Sequence, residues 1–320
     1  MGDIFFATFI SYPQERIGVT EAITLKNLKK EYKNVSALHD LTLSIGQGEF
    51  FGLLGPNGAG KTTTINILTG LCNKTSGSVS LFGKDVVSDY EEARALIGLV
   101  PQEFNMDFFE KAYNVLYFNA GYFGIPRSER AAKIERLFRD LDLWEKRNSP
   151  VRELSGGMKR KVMIARALIH QPKILILDEP TAGVDVETRK SLWSYLEKLN
   201  KEGITILLTT HYIEEAEALC QRIAVINKGR IVALDSTQKL LHLLEGETLT
   251  LHLEKPLAKI PKALAHYTVV LNQNTLTFSL KPKDSLSQLL ADVTSARLSI
   301  VKLETTQNKL EDVFLHLTKK

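Results

Sequence analysis

The stretch Gly55-Pro56-Asn57-Gly58-Ala59-Gly60-Lys61-Thr62-Thr63 restricts what this chain can fold into more than any other. It follows a strand-length apolar run, Glu49–Leu54, and leads into the helical-looking Thr64–Leu71. A strand, the pattern G-x-x-x-x-G-K-T and a helix, in that order, form the context of a phosphate-binding loop, which places the chain in the α/β class. The glycines let backbone N–H groups close around the α- and β-phosphates of a nucleotide, where side chains would obstruct them. The helix N-terminus adds its partial positive charge to the same anion. Lys61 is expected to reach the β- and γ-phosphates as a point charge, and the Thr62 hydroxyl to coordinate Mg²⁺. An ordinary glycine-rich turn would leave the flanking strand and helix unexplained.

Two further segments fit the same chemistry. Lys173–Leu177 reads as a buried strand that ends in Asp178-Glu179, so both carboxylates emerge at the strand's C-terminal end. In an open parallel sheet that edge is where ligands bind. Asp178 suits the magnesium shell, and Glu179 suits a general base or a water-positioning role; the bland alternative is an acidic surface turn. Leu154-Ser155-Gly156-Gly157-Met158 precedes the periodic run Lys159–Ile169 and reads as a second glycine-rich helix entrance. Ser155 would cap it, and bare glycine amides would meet another phosphate.

With these residues in view, the chain resembles the nucleotide-binding subunits of ATP-binding cassette (ABC) transporters across about Thr20–Asp235. The resemblance implies a P-loop NTPase cassette, a mixed-sheet core with a helical subdomain. Leu154–Met158 is similar to the family's signature motif, with Met158 where glutamine is commonest. In that family the signature of one protomer faces the P-loop of the other, so a homodimer sandwiches two ATP molecules. Tyr32, placed just before the first β-rich stretch, matches the aromatic residue that stacks on adenine; without the family it reads as a half-buried strand tyrosine. Gln102 matches the glutamine that contacts magnesium and the attacking water. Ala182–Asp185 matches the D-loop, with Val184 replacing the commoner leucine and Asp185 in place. His211 matches the switch histidine at the γ-phosphate; alone it would read as a structural histidine. The implied site comprises Glu179, His211 and Gln102 for catalysis, Tyr32 and residues 55–63 for the nucleotide, and Thr62, Gln102 and Asp178 for the metal. Ser155, Gly156, Gly157 and Asp185 serve the trans contact.

The rest of the 320 residues divides around this cassette. Residues 1–19 are expected to be a peripheral extension: Ile4–Ile10 is too short, and has Asp3 rather than a basic segment before it, for a signal peptide. Val19 is a candidate alternative start. Residues 20–235 form the ATPase domain. Its helical subdomain, about 103–155, shows Ala131, Ile134, Leu137, Phe138 and Leu141 at three- and four-residue steps. Phe104, Met106, Phe108 and Phe109 either dock a membrane partner or pack that subdomain's core. After a linker at 236–246, residues 247–320 read as β-α-β-β-α-β, a small α+β ferredoxin-like accessory domain whose first helix is a Pro/Lys-rich segment. A last helix carries Leu310, Val313, Phe314 and Leu317 on one face, and Leu310–Phe314 resembles the C-terminal motif of ABC-2 type ATPases from drug-, sodium- and polysaccharide-export systems.

Composition supports this division of labour. A net charge of +4 is too mild to argue for nucleic acid, and Cys72 and Cys220 lack zinc-ligand spacing. No uncharged apolar run approaches the ~18 residues that span a bilayer. The expectation is an ATPase subunit that binds ATP and Mg²⁺, homodimerises, and powers a separate integral membrane permease from the cytoplasmic face of the inner membrane, in the export direction. Its rival is a soluble, non-transport ABC ATPase that acts on ribosomes or DNA.

Overall fold

A computed structural model describes residues 20–242, 247–280, 285–296 and 298–306. The expected N-terminal extension and the last helix around Leu310–Leu317 lie outside the described residues. The chain forms two compact units, residues 1–236 and 237–320.

The first unit opens with β1 (Glu21–Tyr32), β2 (Val35–Gly46), β3 (Phe50–Leu54), α1 (Lys61–Leu68), β4 (Ser76–Leu81), β5 (Lys84–Asp85), α2 (Tyr90–Ala95) and β6 (Ile97–Val100). A helical segment follows, α3 (Ala112–Tyr122), α4 (Arg127–Asp140) and α5 (Gly156–Leu168). The chain then returns through β7 (Ile174–Asp178), α6 (Val186–Lys201), β8 (Thr205–Thr210), α7 (Ile213–Leu219), β9 (Arg222–Asn227) and β10 (Arg230–Ser236).

Six strands make the central sheet, in the order β10-β9-β3-β8-β7-β6. All neighbours in it are parallel except β9 and β10. Every residue of β3, β7 and β8 is buried, which is why these strands read as unbroken apolar runs rather than alternating ones. Because β3, β8 and β7 are adjacent and parallel, their C-terminal ends share one edge. The phosphate-binding loop, His211 and Asp178-Glu179 each follow or close one of those strands. A second, antiparallel sheet, β2-β1-β4-β5, alternates as a half-buried sheet should: Ile23 pairs with Ile45 and Leu25 with Leu43, all facing the core. Leu53, Ile65, Leu68 and Ile176 join that core and bind the P-loop strand and helix to both sheets.

The helical stripe of α4 is narrower than its spacing predicts. Ile134, Phe138 and Leu141 are buried, Leu137 is half-buried, and Ala131 is exposed in the first turns of the helix. The aromatic cluster before α3 is split. Met106 is buried and Phe104 half-buried, whereas Phe108 and Phe109 are 38% and 78% exposed. Helix α5 is held hard against the sheet: a Cβ on Gly98 of β6 would lie 2.4 Å from the Ala167 carbonyl oxygen.

The second unit contains α8 (Thr237–His242), β11 (Glu247–Leu253), β12 (Thr268–Asn272), β13 (Thr275–Leu280), α9 (Leu286–Ser295) and β14 (Ile300–Thr306). Its sheet runs β12-β13-β11-β14, wholly antiparallel, which is the strand order of a ferredoxin-like unit. Leu249, Leu251, Leu276, Phe278, Leu289 and Val293 form its core. The helix predicted between its first two strands is reduced to one 3₁₀ turn, Lys262–Leu264. Pro256 and Pro261 account for this, since each lacks the N–H that a helix interior needs.

Candidate active site

The phosphate-binding loop leaves β3 at Leu54 and becomes helical at Lys61, three residues earlier than the sequence pattern suggested. Its glycines are required by space and by dihedral. A Cβ at Gly55 would lie 2.4 Å from the Ile226 carbonyl oxygen, and Gly60 caps α1 at φ 110°, a left-handed conformation that side-chain-bearing residues avoid. Lys61 is 6% exposed and folds back into the loop, donating from Nζ to the carbonyls of Gly55 (2.7 Å) and Pro56 (3.2 Å). Burial pulls its ammonium below the usual lysine range, against the opposing pull of Glu179 and Asp178.

Asp178 closes β7, buried, and accepts a short hydrogen bond from the Thr209 hydroxyl of the neighbouring β8. The Thr62 hydroxyl donates to its other oxygen at 3.5 Å. Thus a hydroxyl from α1 and a carboxylate from β7 converge beside Lys61. One ammonium faces two carboxylates, and this excess of negative charge on hard oxygen donors fits a divalent cation of the magnesium type. Among the described residues no cluster of three or more His, Cys, Asp or Glu forms a closed metal cage. That suits an ion which takes one or two protein ligands and completes its shell with phosphate and water.

Glu179 leaves the strand in the left-handed region, φ 49°, which costs a non-glycine residue about 1 kcal/mol or more. The turn carries its carboxylate to two partners. Gln102 Nε2 donates to Oε2 at 3.1 Å, and His211 Nδ1 lies 3.1 Å from Oε1. The amide that the resemblance assigns to magnesium is therefore engaged with Glu179. His211 itself is 44% exposed at the mouth of the site.

Tyr32 lies within the first sheet rather than just before the β-rich stretch. It is the last residue of β1, where its pairing with Val35 starts the return strand. Its ring is exposed, its hydroxyl meets Cys72 Sγ at 3.2 Å, and Lys30 Nζ sits 4.5 Å from the ring centroid. The bond to Cys72 raises its pKa, while a bond to the Thr63 hydroxyl opposes the rise. The second contact brings the ring beside the P-loop helix.

The remaining predicted residues gather elsewhere. Ser155 caps α5, its Oγ accepting from Met158 N at 3.2 Å, and Asp185 caps α6, accepting from Thr188 N at 2.9 Å. A Cβ on Gly157 would meet Thr188 Cγ2 at 2.5 Å, so the two helix entrances touch. Among the described residues no hydrogen bond links Ser155, Gly156, Gly157 or Asp185 to residues 55–63.

Three residues escaped the sequence analysis. Thr209 orients Asp178; a hydroxyl pair, Thr209-Thr210, ending an apolar strand was the available signal. Glu215, wholly buried on α7, accepts from Thr181 Oγ1 and Trp193 Nε1, both at 3.0 Å. Arg160 lies on the buried face of α5, three and four residues before Met163 and Ile164.

Burial pushes the Asp178 carboxyl above the usual aspartate range; the Thr209 hydroxyl draws it back and the charge of Glu179 pushes it further up. With the folded value above the unfolded one, this group's contribution to stability is whole below the ordinary range and is lost as pH rises through the raised value. Asp178→Asn cannot ionise. The nucleotide-free variant is therefore expected to melt above the wild type near neutral pH, by a margin that closes as pH falls to about 4. Thermal denaturation across that range checks it, and a variant that melts lower at neutral pH would contradict it.

Comparison with known proteins points to one family. Residues 38–182 match the family described as ABC transporter. The Nod factor export ATP-binding protein I of Burkholderia orbicola (strain AU 1054) is 38% identical over 92% of this chain and 96% of its own length. The linearmycin resistance ATP-binding protein LnrL of Bacillus subtilis (strain 168) is 33% identical over 92% and 97%. Among solved structures, cbiO1 from Clostridium perfringens, part of the ABC transporter complex cbiONQ, superposes with a TM-score of 0.64 at 29% identity, covering 69% of this chain and 90% of that one. The dimeric post-hydrolysis state of the ATP-binding cassette MJ0796, bound to ADP and Pi, gives 0.62 at 30% identity, covering 67% and 98%.

Proposed function

The chain belongs to the ATP-binding subunits of ABC transporters and is an ATPase, and from that premise we propose that two copies close around two ATP molecules and drive export through a separate integral membrane permease. Each motif occurs once, so two complete sites require two chains, which suits a two-fold assembly. In each site Lys61 exchanges the carbonyls of Gly55 and Pro56 for β- and γ-phosphate oxygens, and the amides of residues 55–63 enclose the phosphates. Tyr32 supports the adenine ring. Magnesium, held by Thr62 and Asp178 with Gln102 alongside, would neutralise charge on the β- and γ-phosphate oxygens. Glu179 accepts the proton of the attacking water or fixes its direction, and His211 holds the γ-phosphate end of the site. Ser155, Gly156 and Gly157 of the second copy cover that phosphate from the far side, with Asp185 at the same contact.

The observation that carries this reading is Glu179, held from both sides by Gln102 and His211 at the sheet edge where the P-loop emerges. Phe108 and Phe109, exposed just beyond Gln102, provide an apolar surface for the permease, which would hold the dimer at the cytoplasmic face of the membrane. Export follows from the functions named for the relatives. Isolation of the native complex tests the proposal: an integral membrane protein is expected in stoichiometric association, and a soluble ribosomal or nucleic-acid complex in its place would sink it.

A further inference from the structure

Arg160 is 2% exposed, the largest wholly buried side chain of the described residues. Its Nη1 donates to the carbonyl of Pro101 at 2.8 Å and its Nη2 to the carbonyl of Gln102 at 3.0 Å. The guanidinium lies 4.9 Å from the Phe104 ring centroid, and its Nε is buried without a partner. Two neutral carbonyls and an aromatic face thus hold a charge that has no ion pair among the described residues. An apolar side chain of the same volume would fill the space at lower cost, so packing alone does not account for an arginine here.

What the arginine adds is a tie. It stands five positions after Ser155 on α5, and it grips the backbone of the residue whose side chain holds Glu179. Through Arg160, α5, Gln102, Glu179 and His211 form one chain of contacts. The N-terminus of α5 is the end that, on the function proposed above, meets the nucleotide of the second copy.

We infer that Arg160 is a positioning residue that transmits engagement of the α5 N-terminus to Glu179 of the same chain, through its two bonds to Pro101 and Gln102. The two ATP sites of a dimer are then coupled: nucleotide bound by one copy sets the carboxylate of the other. This rests on the composite-site reading but goes beyond it, because it assigns a path and a direction of coupling.

The test uses the purified full-length chain with Arg160→Lys, which can reach one carbonyl, and Arg160→Met, which reaches neither. Nucleotide affinity, measured with a fluorescent ATP analogue, and the KM for ATP are expected to stay within about twofold of wild type. The kcat is expected to fall by about tenfold or more, as displacement of a catalytic group does. The wild-type rate is expected to rise sigmoidally with ATP, and both variants to lose that sigmoidicity. In a Gln102→Ala background, Arg160→Met is expected to add little, since the tie has nothing left to hold.

A structural role alone would lower the melting temperature and give effects additive with Gln102→Ala. That result, or wild-type kcat in Arg160→Lys, or a hyperbolic wild-type response, would overturn the inference. Should Arg160→Met fail to fold, Arg160→Lys alone decides. Failure of the underlying proposal has a different signature: no ATP-dependent dimer in any variant.

Discussion

Glu179→Gln is expected to bind ATP with near wild-type affinity, to lose hydrolysis by a factor of about 10² to 10⁴, and to accumulate as an ATP-bound dimer. The substitution keeps the shape of the side chain and leaves an oxygen able to accept from one of its two partners, Gln102 Nε2 or the ring of His211. It removes the negative charge that would take a proton from water. It also relieves Asp178, whose carboxyl Glu179 pushes up. Binding and turnover therefore separate, and the state that precedes hydrolysis persists. Light scattering with and without ATP reads the result directly. A variant that binds ATP but stays strictly monomeric would count against the two-site assembly, and one that keeps wild-type turnover would remove Glu179 from the chemistry.

Lys61→Met is expected to lower ATP affinity by about a hundredfold or more while leaving the fold intact. The two halves of that expectation have separate causes. Affinity falls because Lys61 is the cation that the loop sets beside the Asp178-Glu179 pair, and without it the phosphates would face those carboxylates with only backbone amides and a metal between. Stability holds because the ammonium is already desolvated, as the downward pull on its pKa shows, so a methionine of similar length recovers in packing much of what the two lost carbonyl contacts contributed. Calorimetric titration with ATP and a melting curve without it make the comparison. Wild-type affinity, or a collapse of the nucleotide-free protein, would each contradict the account. Loss of activity alone would not serve, because any P-loop ATPase shows it.

What could be read in the sequence was what is local. The strand, loop and helix around Lys61 are contiguous, and so are the strand and acidic pair ending at Glu179. Their convergence follows once the strands are parallel neighbours, because parallel strands deliver their C-terminal ends to one edge. What could not be read depends on contacts across the chain. The hydroxyl that orients Asp178 comes from β8, and the arginine that grips Gln102 lies on α5. The left-handed turn at Glu179 leaves no trace in composition, since glutamate is not a residue that prefers it. In the second unit the order of the strands was legible, yet the Pro/Lys-rich segment after Leu253 forms one 3₁₀ turn where a helix was expected, because Pro256 and Pro261 interrupt it. The exposure of Ala131 is a similar case: its spacing places it on the stripe, but it sits where the helix begins, beyond the reach of the core.

The whole helical segment leaves the sheet at Val100 and returns at Ile174, and the strands it connects, β6 and β7, are paired neighbours with Ile97 opposite Ile174. A detour between adjacent strands disturbs no register, so its length and surface can differ without displacing the sheet edge that carries Asp178 and Glu179. Contacts between the segment and β6 or its exit limit that freedom, among them the close approach of Gly98 to Ala167 and the grip of Arg160 on Gln102. Between those contacts the outer surface of the helical segment can differ without moving the carboxylates that close β7.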